Sequence, residues 1–161
     1  MKEFWRFIEY AIIFVIILII LFSFIIGIKM VPNNDMFPRL SSGDLMFYYK
    51  LDKSILPQDL VVLEKNNTEY VGRVIAKEGD SIEITKDETV MINGNQAVES
   101  NIFYTTPQYE GFVEYPITLS KNEYFILCDK REGEEDSRYY GPVNINEIKG
   151  TVVGIFRRGG F

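Results

Sequence analysis

The chemistry open to this chain comes from carboxylates, hydroxyls, lysines and arginines. It has no His and a single Cys, Cys128, which excludes a zinc site of the usual ligand count, a disulfide framework and any His-based triad. The densest stretch of reactive types is Cys128-Asp129-Lys130-Arg131-Glu132-Gly133-Glu134-Glu135-Asp136-Ser137-Arg138. Its acids do not follow the spacing of an EF-hand loop, so a solvated acidic loop is expected, with no metal and no cofactor. Asp129, Arg131, Asp136 and Arg138 suit charge-assisted hydrogen bonds that hold loops in place. Cys128 closes an apolar run and is expected to be a buried thiol without function. In the second polar stretch, Asn33 to Asp44, Ser41 and Ser42 precede Gly43-Asp44, an ordinary place for small hydroxyls in a turn. Asn66-Asn67-Thr68 fits the glycosylation tripeptide, a pattern too common by chance to carry weight.

Two very different segments must position these residues. From Ala11 to Ile28 there are 18 residues without a charge, 15 of them Ile, Leu, Val or Phe. Such a run spans roughly 27 Å as a helix, near the thickness of a hydrocarbon core. Insertion is favoured by about 4.5 to 9 kcal/mol. A cleaved signal peptide would have a shorter apolar core and end in small residues; here the run ends in Ile28-Lys29-Met30-Val31-Pro32. One retained N-terminal anchor is expected over residues 1–28, contacting the bilayer through residues 7–28. Lys2 and Arg6 on one side and Lys29 and Arg39 on the other barely choose an orientation.

Residues 29–161 carry 15 basic and 21 acidic side chains, the whole net charge of −6. That balance argues against nucleic acid as a partner. Short apolar runs bounded by Gly, Pro, Asn or Asp read as strands at Leu45–Tyr49, Leu60–Leu63, Tyr70–Ala76, Ser81–Thr85, Val90–Ile92, Tyr124–Cys128 and Gly150–Arg157. Asn93-Gly94 signals a two-residue hairpin between Val90–Ile92 and Ala97-Val98. The fold class expected is an all-β domain of antiparallel sheets behind one transmembrane helix. The aromatic stretch Glu99 to Pro116 (Phe103, Tyr104, Tyr109, Phe112, Tyr115) is expected to fill a small β core, with an exposed binding surface as the alternative.

The order of motifs behind the anchor resembles the type I signal peptidases: Asp35-Met36-Phe37-Pro38-Arg39-Leu40 followed by Gly43-Asp44, Arg73-Val74-Ile75 with Gly79-Asp80, Ile92-Asn93-Gly94, Cys128-Asp129-Lys130-Arg131, and Asp136-Ser137-Arg138 before Gly141-Pro142-Val143. The resemblance implies a membrane-anchored β domain on the outer face of the plasma membrane, single-pass, with a short cytoplasmic N-terminus. Gly43, Asp44, Gly79, Asp80, Asp129, Arg131, Asp136, Ser137 and Arg138 would be its structural motif. The family cuts with a Ser activated by a desolvated Lys. In this chain the Ser position is Asp35, the Lys position Gly72, and the supporting Ser position Glu134, with Arg39 after the proline and Cys128 where Gly is usual.

The resemblance therefore implies a pseudoenzyme. Its degenerate site, Asp35, Met36, Pro38, Arg39, Gly72 and Arg73, would still form a groove for an extended peptide. Takeover is not expected from Lys77, whose odd offset from Gly72 puts it on the other face of a regular strand, barring a bulge. An acid pair would require a second carboxylate beside Asp35, and Asp44, Asp129 and Asp136 qualify by type only. The pattern of losses is closest to signal-peptidase-like proteins of Gram-positive pilus gene clusters. On that resemblance the expected role is an assembly factor or chaperone for pilin polymerisation, with pilin subunits, a pilus sortase or both as partners. A divergent active signal peptidase and a regulator that binds signal peptides are the alternatives.

Overall fold

The computed structural model describes residues 1–99, 102 and 104–157. Helix α1, Lys2–Ile20, continues as a π-helical turn over Leu21–Ile25. No residue of it is buried by the rest of the chain, and its 24 residues, Lys2–Ile25, are long and apolar enough to cross a membrane.

The helix stops three residues before the expected boundary at 28. Ile26–Met30 is strand β1, paired antiparallel with β2, Leu45–Tyr49. Ile is as much at home in a strand as in a lipid-facing helix, so the apolar run shows no break, and the partner strand decides. A Cβ on Gly27 would lie 2.0 Å from Cζ of Tyr48; only glycine lets that ring cover β1. Lys50 secures the junction, its backbone N–H donating to Ile25 O at 2.9 Å and its Nζ to Ser23 O at 2.9 Å, where a helix end leaves carbonyls unsatisfied.

The remaining strands are β3 (Leu60–Lys65), β4 (Thr68–Lys77), β5 (Ser81–Ile84), β6 (Val90–Ile92), β7 (Asn95–Gln96), β8 (Ile117–Thr118), β9 (Glu123–Leu127), β10 (Val143–Asn144) and β11 (Ile148–Phe156). They form a seven-stranded sheet, β1-β2-β11-β3-β4-β9-β10, and a four-stranded sheet, β7-β6-β5-β8. Every pairing is antiparallel. Each expected strand is present within two residues. Besides β7, the hairpin partner described below, three strands were not expected: β1, a continuation of the anchor's apolar run, and the two-residue pairings β8 and β10.

At the Asn93-Gly94 hairpin both residues have positive φ, 52° and 78°, as a type I′ turn requires. Its partner segment begins at Asn95, two residues earlier than the expected Ala97-Val98. Asn66 and Asn67 also have positive φ and join β3 to β4 where Lys65 faces Thr68; the tripeptide noted above is a hairpin turn. Asp80 accepts from the Lys77 N–H (3.0 Å) and the Asn93 side chain (2.8 Å), which ties the β4–β5 turn to the hairpin.

Leu60-Val61-Val62-Leu63 is apolar at every position because both faces of the large sheet are covered. Leu60 and Val62 pack with Val31, Met36, Leu40, Met46 and Cys128. Val61 and Leu63 pack with Ile55, Val74, Ile126, Val143 and Ile148. A third cluster, including Ile75, Ile82, Ile84 and Phe125, joins the small sheet to β4 and β9. Of the aromatic stretch, Tyr115 packs edge-on against Phe125 and Tyr109 lies under Arg138, while Tyr104 and Phe112 are exposed. Phe103 lies outside the described residues.

Beyond β9 the chain loops to α2, Ser137–Tyr140, capped by Asp136, whose carboxylate accepts from Arg138 N–H at 3.0 Å. Asp136 and the Arg138 guanidinium form two further bonds, 2.9 and 2.7 Å, with side-chain exposures of 1% and 0%. Removing one partner of so dry a pair leaves a buried charge without compensation. Asp136→Asn is expected to destabilise the domain by about 3–5 kcal/mol, measured by denaturant unfolding in detergent.

Candidate functional site

The site is built on the loop between β1 and β2. Val31 N–H donates to Asp44 O at 2.8 Å and Gly43 N–H to Val31 O at 2.9 Å, closing the loop. A single turn inside it, Leu40 N–H to Met36 O at 2.8 Å, puts Met36 and Leu40 side by side in the core, exposed by 1% and 0%. Asp35, just before this plug, is left half-buried at the lip, and Phe37, Pro38 and Arg39 are exposed. Met36 thus belongs to the core rather than to an open groove. Ser41 and Ser42 spend their amides on Asp44 Oδ2 (3.0 Å) and Asn34 Oδ1 (2.8 Å), the turn role expected of them.

The loop after β9 meets this lip. Lys130 N–H donates to Asp35 O at 2.9 Å, and the Asp35 and Glu134 carboxyls lie in hydrogen-bonding contact. The Asn33 side-chain amide donates to Asp35 Oδ2 at 2.6 Å, and Lys130 Nζ pairs with Glu134. Burial pushes the Asp35 carboxyl up from 3.8 to about 6, helped by the hydrogen bond and charge of Glu134 and opposed by Asn33 and Lys130. The second carboxylate is therefore Glu134. The three acids considered by type are engaged elsewhere: Asp136 with Arg138, Asp129 with Arg73 at 2.7 and 2.5 Å, and Asp44 with the Ser41 amide. Lys130 and Asn33 were not among the candidate site residues; Lys130 stood in the Cys128–Arg131 motif, and its i, i+4 spacing to Glu134 was the signal for the pair.

The acidic run also disperses. Glu134 faces Lys130, Glu135 accepts from Tyr70 OH at 3.0 Å, Asp136 faces Arg138, and Glu132 is exposed. Around them Arg138 Nη1 donates to Arg131 O (2.7 Å) and Pro107 O (3.1 Å), and Tyr109 OH to Glu134 O (2.8 Å). Arg131, fully buried, pairs with Glu99 and donates to Thr106 Oγ1 at 2.7 Å. Through these contacts Asp129, Arg131, Asp136 and Arg138 tie the loops together, and Ser137 Oγ accepts from Ile126 N–H at 2.9 Å.

Gly72 is buried in β4 opposite Val61. A Cβ there would stand 2.4 Å from Ile126 Cγ2 and 3.3 Å from Leu127 O. Ile126 has taken the space a side chain at 72 would use. The next residue, Arg73, crosses to Asp129 and donates to Gln58 O at 3.0 Å. The register between β4 and β9 does shift, between Val74 and Ala76. Lys77 nevertheless stays exposed, five residues or roughly 16 Å along the strand from Gly72. Of the expected groove residues, Arg39 and Arg73 share a cleft of about 370 Å³ with Gln58, Asp59, Leu60 and Val152–Ile155.

The family model described as signal peptidase, peptidase S26, matches residues 4–157. The chain belongs to that family. A signal peptidase I of Bacillus caldolyticus is 32% identical over 143 residues, covering 80% of this chain and 78% of that protein. One from Bacillus licheniformis is 26% identical, covering 94% and 88%. A Staphylococcus aureus (strain COL) protein named inactive signal peptidase IA is 24% identical, covering 94% and 91%. The crystal structure of a signal peptidase I from Enterococcus faecalis V583 superposes with a TM-score of 0.53 at 23% identity, over 62% of this chain and 97% of that one. The signal peptidase fold is thus shown for the β domain.

Two consequences of this signal-peptidase-family site are measurable. Folded Asp35 holds its proton more tightly than the unfolded chain does, so its contribution to stability is complete below about pH 4 and is lost as pH rises through about 6. Asp35→Asn is therefore expected to raise the thermal midpoint at pH 7.5 and to give no advantage at pH 4. The Cys128 thiol is pushed well up by burial, and further by the charges of Asp136, Asp35 and Glu134. It is expected to react with N-ethylmaleimide only after denaturation.

Proposed function

We propose that this chain is a catalytically inactive, membrane-tethered member of the signal peptidase family that binds exported polypeptides without cutting them. The observation that carries this reading is the pair Asp35 and Gly72, standing where the family's motif has its Ser and Lys, with Ile126 packed into the space above Gly72. A carboxylate is no substitute for an activated hydroxyl, and a glycine supplies no base. The β domain would lie on the outer face of the plasma membrane. Its role would be that of an assembly factor or chaperone for pilin polymerisation, with pilin subunits, a pilus sortase or both as partners. That partnership rests on resemblance to the degenerate proteins of pilus gene clusters.

One observation favours a second reading, a divergent peptidase. Asp35 and Glu134 form a carboxyl pair in contact, with Asp35 titrating at about 6, and two carboxyls sharing a proton are the machinery of acid proteases.

Cleavage of a signal-bearing pilin precursor by the detergent-purified chain, at pH 5 and pH 7.5, separates the two. The native chain is expected to be silent at both. Asp35→Ser with Gly72→Lys is expected to remain silent, because Ile126 blocks the lysine; adding Ile126→Ala is expected to restore cleavage. Native cleavage at pH 5 that disappears in Asp35→Asn would establish the second reading and overturn the first. Absence of crosslinks to both pilin and sortase in pilus-producing cells would overturn the partner assignment.

A further inference from the structure

β11 is paired unequally on its two sides. Against β2 it is hydrogen-bonded from Thr151 to Phe156, but against β3 only from Ile148 to Thr151. β3 begins at Leu60, and the chain before it turns to the other neighbour: Gln58 N–H donates to Val74 O at 2.7 Å and Val74 N–H to Asp59 O at 2.9 Å. Among the described residues Val153–Phe156 therefore carries a free edge, about 13 Å of strand, and Val153, Gly154 and Ile155 form one wall of the 370 Å³ cleft. Leu60, Gln58, Asp59, Arg73 and Arg39 complete it.

The chemistry of this cleft specifies its ligand. Unpaired strand amides and carbonyls are complemented by another extended backbone. The charges around the edge are biased: Arg39 and Arg157 are exposed, and neither pairs with a carboxylate among the described residues. Arg73 is engaged by Asp129, and the only acid lining the cleft among the described residues, Asp59, accepts from Leu56 N–H at 2.8 Å. Free guanidinium groups beside an open edge, in a domain of net charge −6, favour an anionic strand over a neutral one. The register places the edge away from the membrane helix: Ile26, which follows the helix, is level with Tyr49 and Thr151, whereas Phe156 is level with Leu45 and Met30 at the opposite end.

We infer that the open edge of β11 at Val153–Phe156 docks an extended, acidic segment of a partner polypeptide, added as a strand, with Arg39 receiving its carboxylate. The site is separate from the Asp35–Glu134 lip and stands whether or not that lip cuts peptides.

The β11–β2 register shifts between Val152 and Gly154, so Val153 has no partner in β2. Val153→Pro removes one N–H of the proposed docking strand at a position that has no register partner in β2. The probes are fluorescein-labelled octapeptides, Ser-Thr-Val-Glu-Val-Glu-Thr-Ser and its Gln and Lys versions, titrated by anisotropy against the detergent-solubilised full chain. The Glu peptide is expected to bind roughly tenfold or more tightly than the others, Arg39→Gln to abolish that preference, and Val153→Pro to weaken binding about tenfold. In the unsubstituted chain, hydrogen exchange of residues 153–156 is expected to slow when the Glu peptide is added. Equal or absent binding of the three peptides would overturn the proposal, as would full affinity in a folded Val153→Pro chain. So would protection of 153–156 produced by chain concentration alone or by phosphatidylglycerol vesicles without peptide.

Discussion

Everything at the candidate site hangs on the buried pair Asp136–Arg138. Taking both charges out of water is costly, and the cost is offset because every guanidinium nitrogen is met: Arg138 reaches Asp136 with two nitrogens and Arg131 O and Pro107 O with the third, while its face lies 4.4 Å from the Tyr109 ring. Asp136 also accepts from Cys128 N–H at 3.1 Å, so the pair fixes the end of β9 as well as the start of α2. The loop between them has one way to run. Lys130 then meets Asp35 O, and Glu134 meets the Asp35 carboxyl.

This order of dependence separates scaffold from chemistry. Most of the groups that hold the loops are satisfied within the domain: Asp129 by Arg73, Asp80 by Asn93 and Lys77, Ser137 by Ile126; the exception is Arg131, whose buried Nε has no partner among the described residues. Around Asp35 and Gly72 the neighbouring side chains are closely fitted. Ile126 fills the space above Gly72, and Glu134 brings its own counter-ion, Lys130, to the lip. The packing above Gly72 leaves no room for a side chain at position 72 unless Ile126 moves.

Asp35 and its neighbours also decide what the lip can recognise. A Ser and Lys present a neutral hydroxyl and an amine; Asp35, Glu134 and Lys130 present two acids and one base whose net charge changes near pH 6. Arg39, next to the plug of Met36 and Leu40, points recognition the other way, toward anionic groups, and shares its cleft with the unpaired part of β11. The two faces of one short loop therefore offer opposite charge preferences within a few residues.

What was legible in the sequence follows from locality. The apolar run, the strands of β2 to β6, β9 and β11, and the Asn93-Gly94 turn are set by side-chain period and backbone preference, which neighbours along the chain determine. The identities Asp35 and Gly72 were likewise readable directly from the sequence. Tertiary structure alone decided that Ile26–Ile28 leave the helix for a sheet, because that choice needs the partner strand β2 and the ring of Tyr48. It decided that Met36 is core, that Glu134 rather than Asp44, Asp129 or Asp136 faces Asp35, and that Ile126 occupies the space at Gly72. Each of these is a contact between residues far apart in the chain, and its energy comes from desolvation and close packing, which exist only once the sheets have formed.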